Sequence, residues 1–138
     1  MSYTINAITV SDCMSSRYVS FTAQTPVVEA ATAMVKNELI GGPVVDANGY
    51  LVGWISEQDC LKTVTQVLYF SERVATVSDI MRREVLSVRN GDSVLDLANQ
   101  MLGQKPKIYP VINEHNKVMG VISRRRILRE MCRQIALQ

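Results

Sequence analysis

Little in this chain of 138 residues points to catalysis. It has one histidine, His115, and no Gly-x-Ser-x-Gly, no Walker-type glycine loop and no second imidazole from which a catalytic set could be built. The three cysteines, Cys13, Cys60 and Cys132, are odd in number and widely spaced. They fit neither a disulfide framework nor a zinc site, so no metal is expected and a reducing cytoplasm is the expected compartment. No apolar run approaches the roughly 18 residues of a membrane span, and the opening MSYTINAITVSD lacks a basic-then-apolar secretory pattern. Charge of one sign is lacking too. Fifteen Lys and Arg against 13 Asp and Glu leave a net +2, which argues against general nucleic-acid binding. The apolar fraction of 47% is ordinary for a globular protein, and the length suits one domain or two half-size units sharing a core.

What the chain does contain is repetition. Gly-Trp-Ile-Ser at 53–56 returns as Gly-Val-Ile-Ser at 120–123, an offset of 67. Residues 12–62 align with 79–129 at that offset without a gap. Twelve positions are identical, among them Met14/Met81, Ser20/Ser87, Pro43/Pro110, Gly53/Gly120, Ile55/Ile122 and Leu61/Leu128. The chain is a tandem repeat, with residues 1–65 as the first copy, 66–78 as a linker and 79–138 as the second.

Each copy reads as β-α-β-β-α, an α+β unit. A short extended piece (19–21, 86–88) leads to a helix start, with Thr25 as cap before Pro26 in the first copy and Asp92 as cap in the second. Apolar residues then recur at helical spacing, Val27, Ala30, Met34 and their equivalents Val94, Leu97, Met101. Two short strands follow, 43–45 with 51–55 and 110–112 with 118–122, the first pair joined by an Asn-Gly turn. A closing helix starts at Ser56 or Ser123, and the first is expected to run on through Val64, Val67 and Leu68.

This arrangement, with Gly-Gly-Pro-Val-Val-Asp at 41–46, Gly-Trp-Ile-Ser-Glu-Gln-Asp at 53–59 and Asp-Ile-Met at 79–81, resembles a pair of CBS domains. The resemblance runs from about Asp12 to Met131. It implies a non-enzymatic regulatory or sensor module with clefts between the repeats that bind an adenine nucleotide such as AMP, ADP or ATP, with no required cofactor. It further implies that Ser56 and Asp59 hold ribose and phosphates, and that the backbone at Ile40, Gly41, Gly42 and at Lys107, Ile108, Tyr109 lines the adenine pockets. Thr22, Ser123, Arg124 and Arg126 complete the expected set. Such modules usually sit in larger enzymes or transporters. With no other domain in the sequence, output is expected to pass through a separate, unidentified downstream protein.

Two motifs admit more than one interpretation. Ser56-x-x-Asp59 is a capping box as well as a candidate ribose site, and a cap at a cleft edge can serve both roles. In the second copy Arg126 stands where Asp59 is, and Arg124, Arg125 and Arg126 fill the first turn of a helix, where positive charge is disfavoured by roughly 0.3–1 kcal/mol per residue. Ligand phosphate, a solvated face in which Arg126 pairs with Glu130, and an acidic partner surface each account for them. Helix-dipole logic adds that Arg126→Asp should be neutral or slightly stabilising without ligand, and phosphate-binding arginines would favour ATP over AMP.

Other residues stay quiet. His115 falls in a turn, Trp54 belongs to core or rim, and the Gly41–Gly42 backbone approaches either adenine or the packed partner repeat. The apolar surface of the closing helices, with Val64, Val67, Leu68, Tyr69 and Phe70, points to a homodimer. The alternative function is a ligand-free interaction module that docks a protein through its helices and arginine cluster.

Overall fold

The order of elements repeats as the sequence does. The computed structural model describes residues 8–71, 73 and 75–137. Residues 1–7 at the start of the first copy, Glu72 and Val74 in the joining segment, and Gln138 lie outside the described residues. In chain order the elements are α1 (Val10–Cys13), α2 (Val27–Lys36), β1 (Gly41–Val45), β2 (Leu51–Ser56), α3 (Glu57–Phe70), α4 (Val77–Ile80), β3 (Val88–Arg89), α5 (Val94–Met101), β4 (Ile108–Ile112), β5 (Val118–Ser123) and α6 (Arg124–Ala136). The α+β expectation holds, with β1–β2 and β4–β5 as antiparallel hairpins in the same register. Both ladders shift at the same repeat position, Val44/Val45 and Val111/Ile112. The extended piece before each first helix joins its hairpin in parallel, as β3 beside β4 and as the bridge of Phe21 to Val44.

Two helix starts differ from expectation. Thr25 does not cap α2. The cap position is Pro26, which is extended and bridged to Thr76, while the Thr25 hydroxyl meets that of Thr22 at 2.8 Å. Asp92 does not cap α5 either. Ser93 accepts from Leu95 N–H, and the Asp92 carboxylate instead takes Arg89 N–H at 2.9 Å. In both copies the preceding residue is held in a turn, so the helix opens one residue later. The closing helices do begin as expected: the Ser56 and Ser123 hydroxyls accept from Asp59 N–H and Arg126 N–H at 3.1 and 3.2 Å.

The chain packs into two units whose boundaries cross those of the sequence repeats. Unit 1 joins the segment up to Tyr18 with everything from Leu86 onward, and unit 2 is Val19–Val85. Each unit has a core cluster of its own, where the sequence was read as two halves sharing one core. Equivalent residues fill them: Val27, Met34, Val44 and Ile55 in unit 2, and Val94, Met101, Val111 and Ile122 in unit 1. Each such side chain contributes roughly 1.5–3 kcal/mol on burial. Every unit completes its core with a short helix from outside the linear repeat, Val77 of α4 in unit 2 and Val10 of α1 in unit 1. These helices share the tetrapeptide Thr-Val-Ser-Asp, at 9–12 and 76–79, and each is closed by a capping box in which the Asp carboxylate accepts the Thr N–H at 2.9 Å.

The glycine of Gly-x-Ile-Ser is explained by the segment that follows each short helix. Trp54 on β2 bridges to Arg82, and Val121 on β5 to Ser15. A Cβ on Gly53 would stand 2.7 Å from Met81 Sδ and 2.9 Å from the Arg82 carbonyl, and one on Gly120 would stand 2.4 Å from the Ser15 carbonyl. Only glycine admits the incoming backbone.

Candidate functional site

In unit 2, the start of β1, the end of β2 and the start of α3 meet at one corner. Gly41 pairs across the hairpin with Ser56, and the Ile40 carbonyl accepts Glu57 N–H at 2.9 Å. That register brings Ile40, Gly41, Gly42, Ser56 and Asp59 together within unit 2. Thr22 is not among them. Phe21 bridges in parallel to Val44, so Thr22 lies level with the far end of β1. The neighbour of Gly42 is instead the Val19 carbonyl, 2.8 Å from where its Cβ would be. The identity Ser20/Ser87 was the sequence signal for that stretch.

The close approach offered by the two glycines is used inside the unit. Gly41 is covered by the Trp54 indole, whose Nε1 would be 2.7 Å from a Cβ, and Gly42 by the Phe21 ring at the same distance. Trp54 is accordingly core. In unit 1 the bulk moves to the other strand: Val88 replaces Phe21, and Tyr109 replaces Gly42 as the buried aromatic. The Tyr109 hydroxyl finds no hydrogen-bond partner among the described residues, and burial pushes its phenol up.

Asp59 is half-buried and already engaged. The Ser56 hydroxyl donates to its Oδ2 at 2.9 Å, and Arg82 Nε lies 3.5 Å from the same oxygen. Arg82 was missed in the sequence. Its repeat equivalent is Ser15, so the charge at 82 and the charge at 59 disappear or reverse together between copies, and that joint change was the available signal.

The corner of unit 1 has the same backbone and a different charge. Ile108 pairs with Ser123, and the Lys107 carbonyl accepts Arg124 N–H at 3.0 Å. Lys107, Ile108, Tyr109, Ser123 and Arg126 therefore converge as their counterparts do. Arg126 turns to the end of α1, with Nε donating to the Cys13 carbonyl at 2.8 Å and Nη2 to that of Met14 at 3.3 Å. A cation at a helix C-terminus is favoured, which offsets its position at the start of α6. The pairing of Arg126 with Glu130 is not formed. Glu130 binds Arg133 at 2.6 Å and Gln134 at 3.0 Å, and these hydrogen bonds hold its carboxyl down to about 2. Arg124 and Arg125 are exposed and border a groove between α5 and α6.

His115 is an exposed turn residue beside Glu114 at 3.7 Å. Cys13 and Cys60 are free and buried, and burial raises both thiols, Cys13 to about 11. Among the described residues no three His, Cys, Asp or Glu side chains group as metal ligands, and no helix is long and apolar enough to cross a membrane.

Comparison with known proteins places both repeats in one family. A family model for the CBS domain matches residues 10–65 and 77–133. The chain is 27% identical over 114 residues to the L-aspartate semialdehyde sulfurtransferase of Methanocaldococcus jannaschii, covering 83% of this chain and 21% of that protein. It thus spans about a fifth of the length of that enzyme. Among solved structures, CBSX2 in complex with AMP superposes with a TM-score of 0.81 at 27% identity, over 92% of this chain and 98% of that one. The CBS domain pair of MJ0100 in complex with 5′-methylthioadenosine and S-adenosyl-L-methionine gives 0.77 at 26% identity, over 91% and 96%. The chain belongs to the CBS-domain family, with two copies in tandem.

Proposed function

We propose that this chain is a non-enzymatic regulatory module that binds an adenosine-containing ligand of the AMP, ADP or ATP type. The observation that carries this is the likeness, at above 25% identity and over nine-tenths of the chain, to CBSX2 with AMP and to MJ0100 with two adenosine compounds. The corner of unit 2 suits such a ligand chemically. Asp59 offers carboxylate acceptors to a pair of ribose hydroxyls, Ser56 and the α3 N-terminus face phosphate, and the backbone of Ile40–Gly42 faces adenine. In unit 1 the same backbone, Lys107–Tyr109, stands beside Ser123 and Arg126. Arg126 has five guanidinium N–H groups, and those not directed at Cys13 and Met14 serve phosphate.

A thermal-shift panel of AMP, ADP, ATP, S-adenosylmethionine and 5′-methylthioadenosine tests the proposal. Ligand at a hundred times its dissociation constant adds about 2.7 kcal/mol to the native state, enough to raise the melting temperature visibly. No shift with any of the five would sink it. If Arg126 reads phosphate, ATP outranks AMP and Arg126→Ala narrows the gap.

We further propose that the module works as a homodimer in a reducing compartment such as the cytoplasm. Five pairs of positions at the repeat offset expose large apolar side chains: Val28/Leu95, Val35/Leu102, Leu61/Leu128, Leu68/Ile135 and Phe70/Leu137. Val35 and Leu102 are about four-fifths exposed, at 80% and 82%. Apolar surface recurring at the same places in both copies marks an association face. Light scattering at micromolar concentration that gave only the 15.4 kDa monomer would remove this part.

A further inference from the structure

Both corners hold a guanidinium between the first turn of the closing helix and the segment that follows a Thr-Val-Ser-Asp helix, and the repeat does not explain it. In unit 1 the arginine is on the helix: Arg126 of α6 reaches back to the Cys13 and Met14 carbonyls. In unit 2 it is on the segment: Arg82 reaches Asp59 of α3, Nε to Oδ2 at 3.5 Å. The repeat equivalent of Arg82 is Ser15, whose hydroxyl folds back onto the Arg17 carbonyl at 3.0 Å. The same chemical group thus stands in the same place, supplied from different repeat positions.

The backbone of Arg82 is fixed, with its N–H donating to the Trp54 carbonyl at 2.8 Å and its carbonyl accepting Trp54 N–H at 2.9 Å. Its side chain is 67% exposed and makes one long contact, to the carboxylate oxygen that also accepts the Ser56 hydroxyl. Arg83, the next cation, turns to the Ser78 carbonyl at 3.2 Å. An ion pair of this length and exposure contributes little, so a ligand displaces it at small cost. The Asp59 side chain is only 25% exposed, and a carboxylate so placed repels a phosphate at the α3 N-terminus unless a cation stands beside it.

We propose that Arg82 sets the charge preference of the unit 2 corner: its guanidinium competes with an uncharged adenosine compound for Asp59, and a ligand phosphate offsets that competition by drawing the guanidinium to itself. An uncharged ligand has to break the pair to place its ribose on the carboxylate, and it leaves the guanidinium without an anion. A phosphorylated ligand supplies that anion, in a geometry that suits the planar fork. The inference rests on the reading of this corner as an adenosine site and adds what selects among such ligands.

The test is calorimetry of the full chain with adenosine and with AMP at low salt. Arg82→Ala should tighten adenosine by about two- to fivefold, the range for an exposed pair, and narrow the preference for AMP over adenosine by at least that factor. Arg82→Gln should do the same, while Arg82→Lys, which keeps the charge, should stay within about twofold of wild type. In an Asp59→Ala background Arg82→Ala should no longer tighten adenosine, because the competitor has lost its target. Salt gives a readout that lost packing would not move. From about 0.05 to 0.5 M the wild type should gain affinity for uncharged adenosine, and Arg82→Ala should not. Folded Arg82→Ala and Arg82→Gln variants with wild-type affinity for adenosine and wild-type preference for AMP overturn the role of Arg82 alone. A wild type that binds neither adenosine nor AMP removes the adenosine reading beneath it.

Discussion

Arg126 lies against Cys13: its Nε donates to the Cys13 carbonyl at 2.8 Å, and its Nη2 reaches the Met14 carbonyl at 3.3 Å. The same repeat position in the other unit is Asp59, which pairs with Arg82 at 3.5 Å. In both units this first-turn side chain ties the closing helix to the segment that follows a Thr-Val-Ser-Asp helix. The sign of the charge differs, and the tether adapts from an ion pair to two carbonyl contacts.

Removing that tether should cost stability. Arg126→Ala should destabilise the chain by about 1.5–3 kcal/mol, the range for hydrogen bonds that involve a charged group. Arg126→Asp should be at least as damaging, because a carboxylate would then face the Cys13 and Met14 carbonyls. This reverses the expectation drawn from the helix dipole alone. Urea denaturation decides it, and an Arg126→Asp variant as stable as wild type would show that the carbonyl contacts contribute nothing.

Asp59 should matter more for ligand than for fold. Asp59→Ala should weaken adenosine-ligand binding by about tenfold to a hundredfold, equivalent to about 1.5–3 kcal/mol. Arg82→Ala should change stability by less than about 1 kcal/mol, since the Arg82 side chain is largely exposed and the pair is long at 3.5 Å, and should not weaken binding because it releases Asp59. Calorimetry on folded variants separates the cases. Unchanged affinity in Asp59→Ala would leave Asp59 with its capping role only.

Gly120→Ala should be among the costlier small substitutions in the chain. Its Cβ would stand 2.4 Å from the Ser15 carbonyl, a backbone atom that cannot swing aside. A loss of about 1–3 kcal/mol or more is expected. Gly91→Ala is the control, since nothing lies within 4 Å of its Cβ position. Equal stability of the two variants would mean the bridge between Ser15 and Val121 is not maintained in solution.

Glu130 should contribute acid sensitivity. Arg133 and Gln134 lower its carboxyl from 4.5 to about 2 in the folded chain. A depressed carboxylate stabilises fully above its unfolded value and loses that contribution as pH falls from about 4.5 towards 2. Glu130→Gln should flatten the stability profile over that window and leave its shape above pH 5 unaltered. Parallel profiles for the two proteins below pH 4.5 would contradict it.

Tyr109→Phe should be neutral or stabilising by about 1 kcal/mol, because it removes a buried hydroxyl with no partner among the described residues. A clear loss of stability on denaturation would reveal a hydrogen bond that the hydroxyl does make.

The sequence by itself determined the tandem repeat, both hairpins and the closing helices. Apolar periodicity, turn chemistry and the Ser56 and Ser123 caps act over three or four residues, and the offset of 67 doubled each signal. The backbone half of the candidate site was named only through the family resemblance, since the strands read from the sequence, 43–45 and 51–55, stop short of Gly41 and Ser56, which the hairpin register makes partners. Which segment covers Gly53 and Gly120 was settled only by tertiary structure. The contact of Arg126 with Cys13 spans 113 residues, and no local propensity encodes it. Exchange of the buried aromatic between Phe21 and Tyr109, and the occupation of Asp59 by Arg82, belong to the same class. They arise from filling a closed volume and neutralising a half-buried charge, and both depend on which distant parts of the chain are brought together.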